Sequence, residues 1–250
     1  NVKITEDSAN KLNLSVGGSV TVGSLEIGHG LGGDVNSVAI GNDALDATTA
    51  HCLHNTAVGN NALSGLNSSA SSNDAGDFNT SVGSNSSSSM TTGHSNTAVG
   101  RNALGTDDGV RNVSIGMGSL DANCADDNAA LGYNALAAYT GSDAVAVGSG
   151  AADAATSAAR LTAIGKDALG VAGTQADCTA VGYGALDAAT GGSNNTAVGS
   201  QALSGTVDGV RNTVMGYAAI SNSDCGDDNT AIGSSALNPK SPVRKTIFFK

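Results

Sequence analysis

The sequence has little of what ordinary globular proteins use to build a core. Trp is absent, only three Phe and four Tyr occur among 250 residues, and charged residues make up 13%, about half the usual share. Because aromatic side chains supply much of the buried apolar area, a core of bulky residues is excluded. Apolar residues nevertheless reach 40%, which is too much for a chain that is disordered for lack of burial. The composition predicts many thin layers of small residues.

Basic residues are also scarce: 11 Lys and Arg stand against 22 Asp and Glu, for a formal net charge of −11. An acidic surface repels phosphate backbones, so we expect no nucleic-acid partner. No apolar run approaches the ~20 residues that cross a bilayer, so we expect no membrane insertion of this segment. Gly accounts for 35 residues but does not recur at every third position, which excludes collagen.

What the sequence has in abundance is an internal repeat, and such periodicity is the first indicator of architecture. The unit reads Asn-Thr-Ala-Val-Gly-x-x-Ala-Leu and occurs twelve times at steps of 16 to 24 residues. The repeat glycines are Gly41, Gly59, Gly83, Gly100, Gly116, Gly132, Gly148, Gly165, Gly182, Gly199, Gly216 and Gly233. Regular copies of this length predict one coil of a solenoid each.

The columns of the repeat predict the path of each coil. Thr-Ala-Val alternates as a short strand does, Gly ends it at a corner, and Ala-Leu supplies a second short strand. Turns rich in Ser, Asp, Asn and Gly close the coil. The predicted fold is all-β: a parallel β-solenoid of about twelve coils in which like residues form ladders. The predicted ladder residues are Val58, Val99, Val181, Val198, Gly59, Gly100, Gly182, Gly199, Asn55, Asn96 and Asn195.

The side chains of the columns predict which face packs where. We expect the Val and Leu ladders to fill a narrow interior, and the Ala column to leave a face that another chain can approach closely. That column comprises Ala57, Ala98, Ala163, Ala180, Ala197 and Ala231. Two scarce arginines follow matching Asp-Gly-Val turns. We expect ion pairs across a subunit interface, from Arg111 and Arg211 to Asp107 and Asp208; the alternative is solvated arginines with no fixed partner.

The chain divides into three parts. Residues 1–35 lack the repeat but alternate apolar and polar residues, which predicts a strand-rich lead-in. Residues 36–237 form the repeat domain, and residues 238–250, with both prolines and two of the three Phe, read as an exit towards a neck or a further domain. Gly105–Asn112 recurs as Gly205–Asn212, which indicates that a block of about 100 residues has been duplicated.

At Asn36-Ser37-Val38-Ala39-Ile40-Gly41 the sequence resembles the signature of YadA-like head repeats, found in trimeric autotransporter adhesins and bacteriophage tail fibres. The resemblance covers about residues 36–237. It implies a left-handed parallel β-roll in which three chains pack side by side as a homotrimer, with attachment to host or surface ligands and no catalysis. The repeat here is longer than is usual in that family, so longer turns should project from each coil.

Catalytic, cofactor and metal sites are not expected. No nucleophile elbow, P-loop or dinucleotide fingerprint is present. His51, Cys52 and His54 are a weak metal cluster, with an axial site in a trimer as the alternative. The Asp pairs in turns are read as solvated, with calcium binding as the alternative. The four cysteines lie coils apart, beyond the reach of intrachain disulfides; we expect thiols, or else cross-links between chains.

The sequence therefore predicts a non-enzymatic, extracellular protein: the trimeric shaft or head of a bacteriophage tail fibre used for host attachment. The alternative is a trimeric autotransporter-type adhesin on a bacterial surface; unpaired cysteines favour assembly in a reducing cytosol, and so the phage. An ice-binding solenoid and a glycan-cleaving tailspike are weaker alternatives. Expected partners are the chain itself, other virion or fibre components, and a host glycan or receptor bound through turns, foremost the 24-residue step from Gly59 to Gly83.

Overall fold

The computed structural model is an all-β parallel solenoid. It describes residues 3–6, 12–15, 20–22, 25–28, 36–46, 52–67, 75–106, 108–157, 159–170, 173, 175–188, 191–205, 208–221 and 225–238, and no helix occurs among them. Each repeat contributes one three-residue strand, and twelve such strands pair in parallel with their neighbours in the sequence. The predicted fold class is confirmed.

Sixteen strands are described, and the last twelve are those of the repeats. They are β1 (Lys3–Glu6), β2 (Leu12–Ser15), β3 (Val20–Val22), β4 (Leu25–Gly28), β5 (Val38–Ile40), β6 (Thr56–Val58), β7 (Thr80–Val82), β8 (Thr97–Val99), β9 (Val113–Ile115), β10 (Ala129–Leu131), β11 (Val145–Val147), β12 (Thr162–Ile164), β13 (Thr179–Val181), β14 (Thr196–Val198), β15 (Thr213–Met215) and β16 (Thr230–Ile232). In the lead-in, β1 and β2 pair antiparallel, and β3 and β4 extend the long sheet through β5.

The register is the same at every step of the solenoid. Thr179, Ala180 and Val181 stand opposite Thr196, Ala197 and Val198, and this alignment of like positions persists from β5 to β16. A slip by one residue would exchange the two faces of a strand. The constant register follows because a buried column fixes each coil against the next.

The interior is lined by the alanine column, and the prediction that Val fills it is wrong. The middle residue of every repeat strand is buried, as Ala98 and Ala180 illustrate, whereas the Val column is half-buried or exposed. The space opposite the strands is taken by the repeat Leu, for example Leu104 and Leu186, both buried. Alternation places strand residues on two faces but does not say which face is inside. Since Leu occupies the narrow coil, the residue that faces it is small in eleven of the twelve repeats, and Val214 is the exception.

The expected second strand of each coil is a turn instead. In the turn after Gly59, Asn61 and Leu63 adopt left-handed φ values of 55° and 53°, and the same two positions are left-handed in the other coils whose turn is described. For a residue such as Leu this conformation costs roughly 1–2 kcal/mol. Burial of Leu63 and the hydrogen bond from its N–H to the carbonyl of Ser86 (3.1 Å) offset that cost.

Buried asparagines, placed just before the strands, bind one coil to the next. The side-chain amide of Asn96 donates to the carbonyl of Gly109 (2.8 Å), and its oxygen accepts the N–H of Asn112 (2.8 Å). Asn55 and Asn195 act in the same way. We call this row the asparagine ladder. It satisfies buried backbone groups at the corner where the strand ladder has not yet begun.

The repeat glycine ends each strand because no side chain has room there. Gly100 has a φ of 138°, and a Cβ at this position would lie 2.5 Å from the carbonyl oxygen of Gly116 in the next coil. Gly182 stands in the same relation to Gly199. Close backbone stacking at this corner lets the coils follow one another without a gap.

Candidate functional site: the outward face of the sheet

The main exposed feature of the solenoid is the outer surface of the long sheet. Because each strand has three residues and the middle one is buried, the first and third residues point outward. The third residue is apolar in all twelve repeats, and many of these side chains are exposed: Leu131 to 47%, Ile164 to 39% and Met215 to 47%. The first residue is Thr in eight repeats, so Thr and aliphatic rows share one surface. We call this surface the outward face.

The outward face is continuous along the rod. Twelve strands at ~4.8 Å spacing extend it over about 53 Å, and its two rows lie ~7 Å apart. Isolated exposed apolar residues are ordinary, whereas a contiguous apolar strip of this length marks an interaction surface. The structure thus reverses the expected roles of the two columns: Ala57 and Ala98 are buried within their own chain, so the Ala column is not available to a neighbour.

One edge of the outward face carries pairs of arginine and aspartate. Arg111 bonds Asp127 of the next coil through Nε (2.6 Å) and Nη2 (2.7 Å), and Arg211 bonds Asp228 in the same way (2.6 and 2.8 Å). A third pair joins Arg160 to Asp177. The bonded guanidinium lowers the pKa of each partner carboxyl. We call this column, two residues before each strand, the arginine–aspartate edge.

These pairs give the two predicted arginines partners that the sequence analysis did not name. The partners of Arg111 and Arg211 belong to the same chain, in the adjacent coil, rather than to a second subunit. Asp107 lies outside the described residues, and Asp208 is not the carboxylate that receives Arg211. A contact of either pair with another chain stays a prediction. The spacing in the sequence identifies these pairs, since residues 16 or 17 positions apart stack directly on one another in consecutive coils.

The opposite edge of the outward face carries exposed tyrosines. The residue directly after the repeat glycine points outward, and three of the four Tyr stand there. They are Tyr133, Tyr183 and Tyr217. Lys166, in the same column, bonds Asp167 and lies 5.7 Å from the centre of the Tyr183 ring. We call this column the tyrosine edge. This column was not predicted, although an alignment of the twelve copies on their glycines shows it.

The predicted polar clusters serve the turns. Asp108 accepts the N–H groups of Thr91 (2.6 Å) and Thr92 (2.8 Å), and Asp126 accepts that of Val110 (3.0 Å). His51 lies outside the described residues, while His54 stacks on Phe78 with ring centres 5.1 Å apart. In the part of the chain that the structure describes, no group of three His, Cys, Asp or Glu side chains is arranged to hold a metal ion. Calcium binding by a turn stays a prediction.

The cysteines and the long loop complete the set of predicted features. Cys52, Cys124, Cys178 and Cys225 form no disulfide; cross-linking between chains stays a prediction. The loop between Gly59 and Gly83 is described except for residues 68–74, so the proposed contact site in that segment lies outside the described residues. Among the residues that are described, no helix is long and apolar enough to span a membrane.

Comparison with protein-family models, with curated proteins and with solved structures finds no match for this chain. The functional assignment therefore rests on the residues and their geometry. A sheet face of Thr and aliphatic rows, flanked by a charged edge and an aromatic edge, is suited to packing against another extended protein surface.

Proposed function

We propose that the protein is a non-enzymatic structural and adhesive fibre: a homotrimeric shaft or head of a bacteriophage tail fibre that serves host attachment outside the cell. The observation that carries this proposal is the outward face. An aliphatic row that is half-buried or exposed is kept in all twelve coils, and its exposed surface has no packing partner within one chain. Burial of this row against the equivalent rows of two other chains would stabilise the assembly by ~25 cal/mol per Å² of apolar surface removed from water.

Three chains are favoured over two by the resemblance to YadA-like head repeats, in which three chains pack side by side. The solenoid is compatible with that arrangement because its strands stack along a single rod axis. Three outward faces turned towards a common axis would enclose the aliphatic rows and leave the turns at the periphery.

Attachment is proposed for the turns, since they are what the assembled rod exposes. The chain offers polar turns in every coil, and the rod repeats each of them three times around its axis. Weak contacts with a host glycan or receptor then add by avidity. The cysteines form no disulfide, which suits a virion protein that assembles in a reducing cytosol better than a bacterial surface adhesin.

The test is to place charge on the outward face. Val99→Asp with Ile164→Asp puts two carboxylates into the proposed interface, four coils apart, where burial of an unpaired charge is costly. We expect the mass measured by light scattering to fall from that of a trimer to that of a monomer, while β-type circular dichroism is retained. Asn123→Asp with Ser157→Asp, on exposed turns, adds the same charge and should leave the trimer intact.

The unsubstituted protein and the Val99→Asp, Ile164→Asp variant also test attachment. Fluorescently labelled trimer and monomeric variant are compared on an array of bacterial surface polysaccharides and on whole bacterial cells. Loss of avidity in the monomer should weaken retention at least tenfold, since multivalent contact commonly adds 10²–10⁴ to affinity. Unchanged mass in the Val99→Asp, Ile164→Asp variant, or equal retention of the trimer and the monomer, contradicts the proposed function.

A further inference from the structure

The two edges of the outward face vary together along the rod. From the fifth coil onward, the tyrosine edge holds either a large side chain or a serine. The large residues are Met117, Tyr133, Lys166, Tyr183 and Tyr217, and the serines are Ser149, Ser200 and Ser234. The arginine–aspartate edge alternates as well: its three ion pairs each span two coils and are separated by single coils that carry Asp143 and Asn194.

The large residues stand in the coils that contain an ion pair. Tyr133 shares its coil with Asp127, Tyr183 shares its coil with Asp177, and Tyr217 is in that of Arg211. The intervening coils, with Asp143 and Asn194 on one edge, have Ser149 and Ser200 on the other. Ser234, in the coil of Asp228 at the end of the sheet, is the single departure. With that exception, coils that take part in an ion pair on one edge carry a large side chain on the other edge, and coils without an ion pair carry a serine.

Among the described residues, no ion pair or ring contact joins the two edges of one coil. The two residues of a coil are six positions apart across an extended strand, a separation of up to about 20 Å, and they occupy opposite edges of the outward face. A second copy of the chain brings them together. When equivalent faces surround a common axis, the left edge of each chain meets the right edge of the next, and rotation alone keeps equivalent coils at one height.

We propose that the tyrosine edge of one chain docks on the arginine–aspartate edge of its neighbour, coil against equivalent coil, and so fixes the register of the assembly. This inference rests on the proposed trimer and adds its lateral contacts. The occupant is a second copy of this chain, because the two edges match each other from the fifth to the eleventh coil.

The chemistry of each contact follows from the groups present. Asp127 and Asp177 each accept two bonds from an arginine, which leaves further lone pairs for the hydroxyl of a facing Tyr. The guanidinium of Arg211 faces the ring of Tyr217, a favourable cation–π arrangement. Lys166 stands level with Arg160 of the neighbouring chain, which carries the same charge. The Lys166 ammonium, however, lies over the ring of Tyr183 in the next coil, which is also the coil of Asp177. Ser149 and Ser200 stand level with Asp143 and Asn194, which belong to none of the three ion pairs.

Cross-linking with a short bismaleimide tests the docking. The background is Cys225→Ser, which removes the one cysteine that is not buried. We call two cysteines placed on opposite edges of the same coil a level pair, and the first level pair is Asp127→Cys with Tyr133→Cys. The control is Asp127→Cys with Tyr183→Cys, whose positions are three coils apart, or ~14 Å along the rod. We expect covalent trimers on a denaturing gel from the level pair, at least tenfold more abundant than from the control. Asp177→Cys with Tyr183→Cys is a second level pair should the first fail to assemble.

Light scattering before the reaction separates the two proposals. A trimer whose level pairs give no more cross-linking than the control overturns the docking of edges and leaves the trimeric fibre standing. An unsubstituted protein that is monomeric overturns both. Level-specific cross-links in a trimer support both.

Discussion

The asparagine ladder divides the solenoid into two kinds of coil. From Asn55 to Asn128, and again from Asn195 to Asn229, a buried carboxamide links each coil to the next. Between these two runs the same position holds Ala144, Leu161 and Cys178, all buried. We call the coils of these three residues the apolar gap. The strands keep the same register on either side of it and through it.

The comparison shows that one backbone path accepts two internal chemistries. The apolar gap packs Leu161 where the other coils have an amide, and Tyr139 is buried close by in sequence. Burial raises the pKa of Tyr139 to about 12, and its hydroxyl donates to the carbonyl of Ser142 (2.9 Å). Polar ladders satisfy backbone groups, while apolar packing gains area. The strand ladder, common to both, is what sets the fold.

Cys178 is intermediate between the two kinds of coil. Its thiol donates to the carbonyl of Gly192 (3.4 Å) and accepts the N–H of Asn195, which are the two roles of an asparagine. Burial raises the pKa of this thiol, which keeps it protonated and able to donate. A sulfur atom at this position therefore acts as a longer and weaker rung of the ladder.

Breaking the ladder should have the largest effect. Asn96→Ala removes an acceptor from the N–H of Asn112 and a donor from the carbonyl of Gly109, both in buried surroundings. The loss of each of these buried hydrogen bonds costs about 1–3 kcal/mol, so we expect a loss of about 4 kcal/mol, measured by denaturant unfolding at one protein concentration. A loss below 1 kcal/mol would show that water replaces the amide and that the ladder is dispensable.

Emptying the apolar gap should cost somewhat less. Leu161→Ala removes a buried side chain without orphaning a backbone group, and such changes cost about 2–5 kcal/mol depending on how far the site collapses. We expect about 3 kcal/mol in the same assay. Leu161→Met, which conserves volume, is the matched control and should stay within about 1.5 kcal/mol of the parent. Equal losses in both variants would argue against packing as the cause.

Substitution of Cys178 should sharpen the comparison by extending the ladder. In Cys178→Asn the carboxamide takes over both hydrogen bonds of the thiol, as Asn195 does one coil later, and stability should be unchanged or higher by up to about 1 kcal/mol. Cys178→Ala loses both bonds and should cost about 1–2 kcal/mol. If the Asn variant is the less stable of the two, the gap is closed to polar groups and the thiol acts as an apolar filler.

The smallest of the expected effects is that of acid, which should reduce the stability of the coils that contain arginine–aspartate pairs. The bonded arginines lower the pKa of Asp127 and Asp228 in the folded chain, so these pairs stabilise the fold above the ordinary Asp pKa, and the benefit is lost as pH falls through the lowered value. We expect amide exchange in these coils to quicken relative to the rest below about pH 4. Asp127→Asn should abolish that pH dependence locally. Exposed pairs are screened, so added salt should reduce the effect.

The sequence carried the repeat, the parallel register and the asparagine ladder, because each repeats as a column that any alignment of the copies shows. The alternation of strand residues does not distinguish the inner face from the outer face, so Val was placed inside instead of Ala. The inner face becomes clear only in the structure, where Leu63 and its equivalents fill the interior opposite the strands. The left-handed turns were missed because Leu rarely adopts that conformation. The pairs of Arg111 and Arg211 with carboxylates of the adjacent coil were not foreseen, because they depend on residues 16 or 17 positions apart that stack on one another.

The mass of the unsubstituted protein in solution tests the central claim most directly, because the outward face either is or is not covered by other copies. Static light scattering after size-exclusion chromatography, at micromolar concentration and physiological salt, should give three times 24.2 kDa, or about 73 kDa, with no dissociation on tenfold dilution. A stable species of 24.2 kDa with an intact β-type spectrum would contradict the account and leave the aliphatic row exposed to solvent.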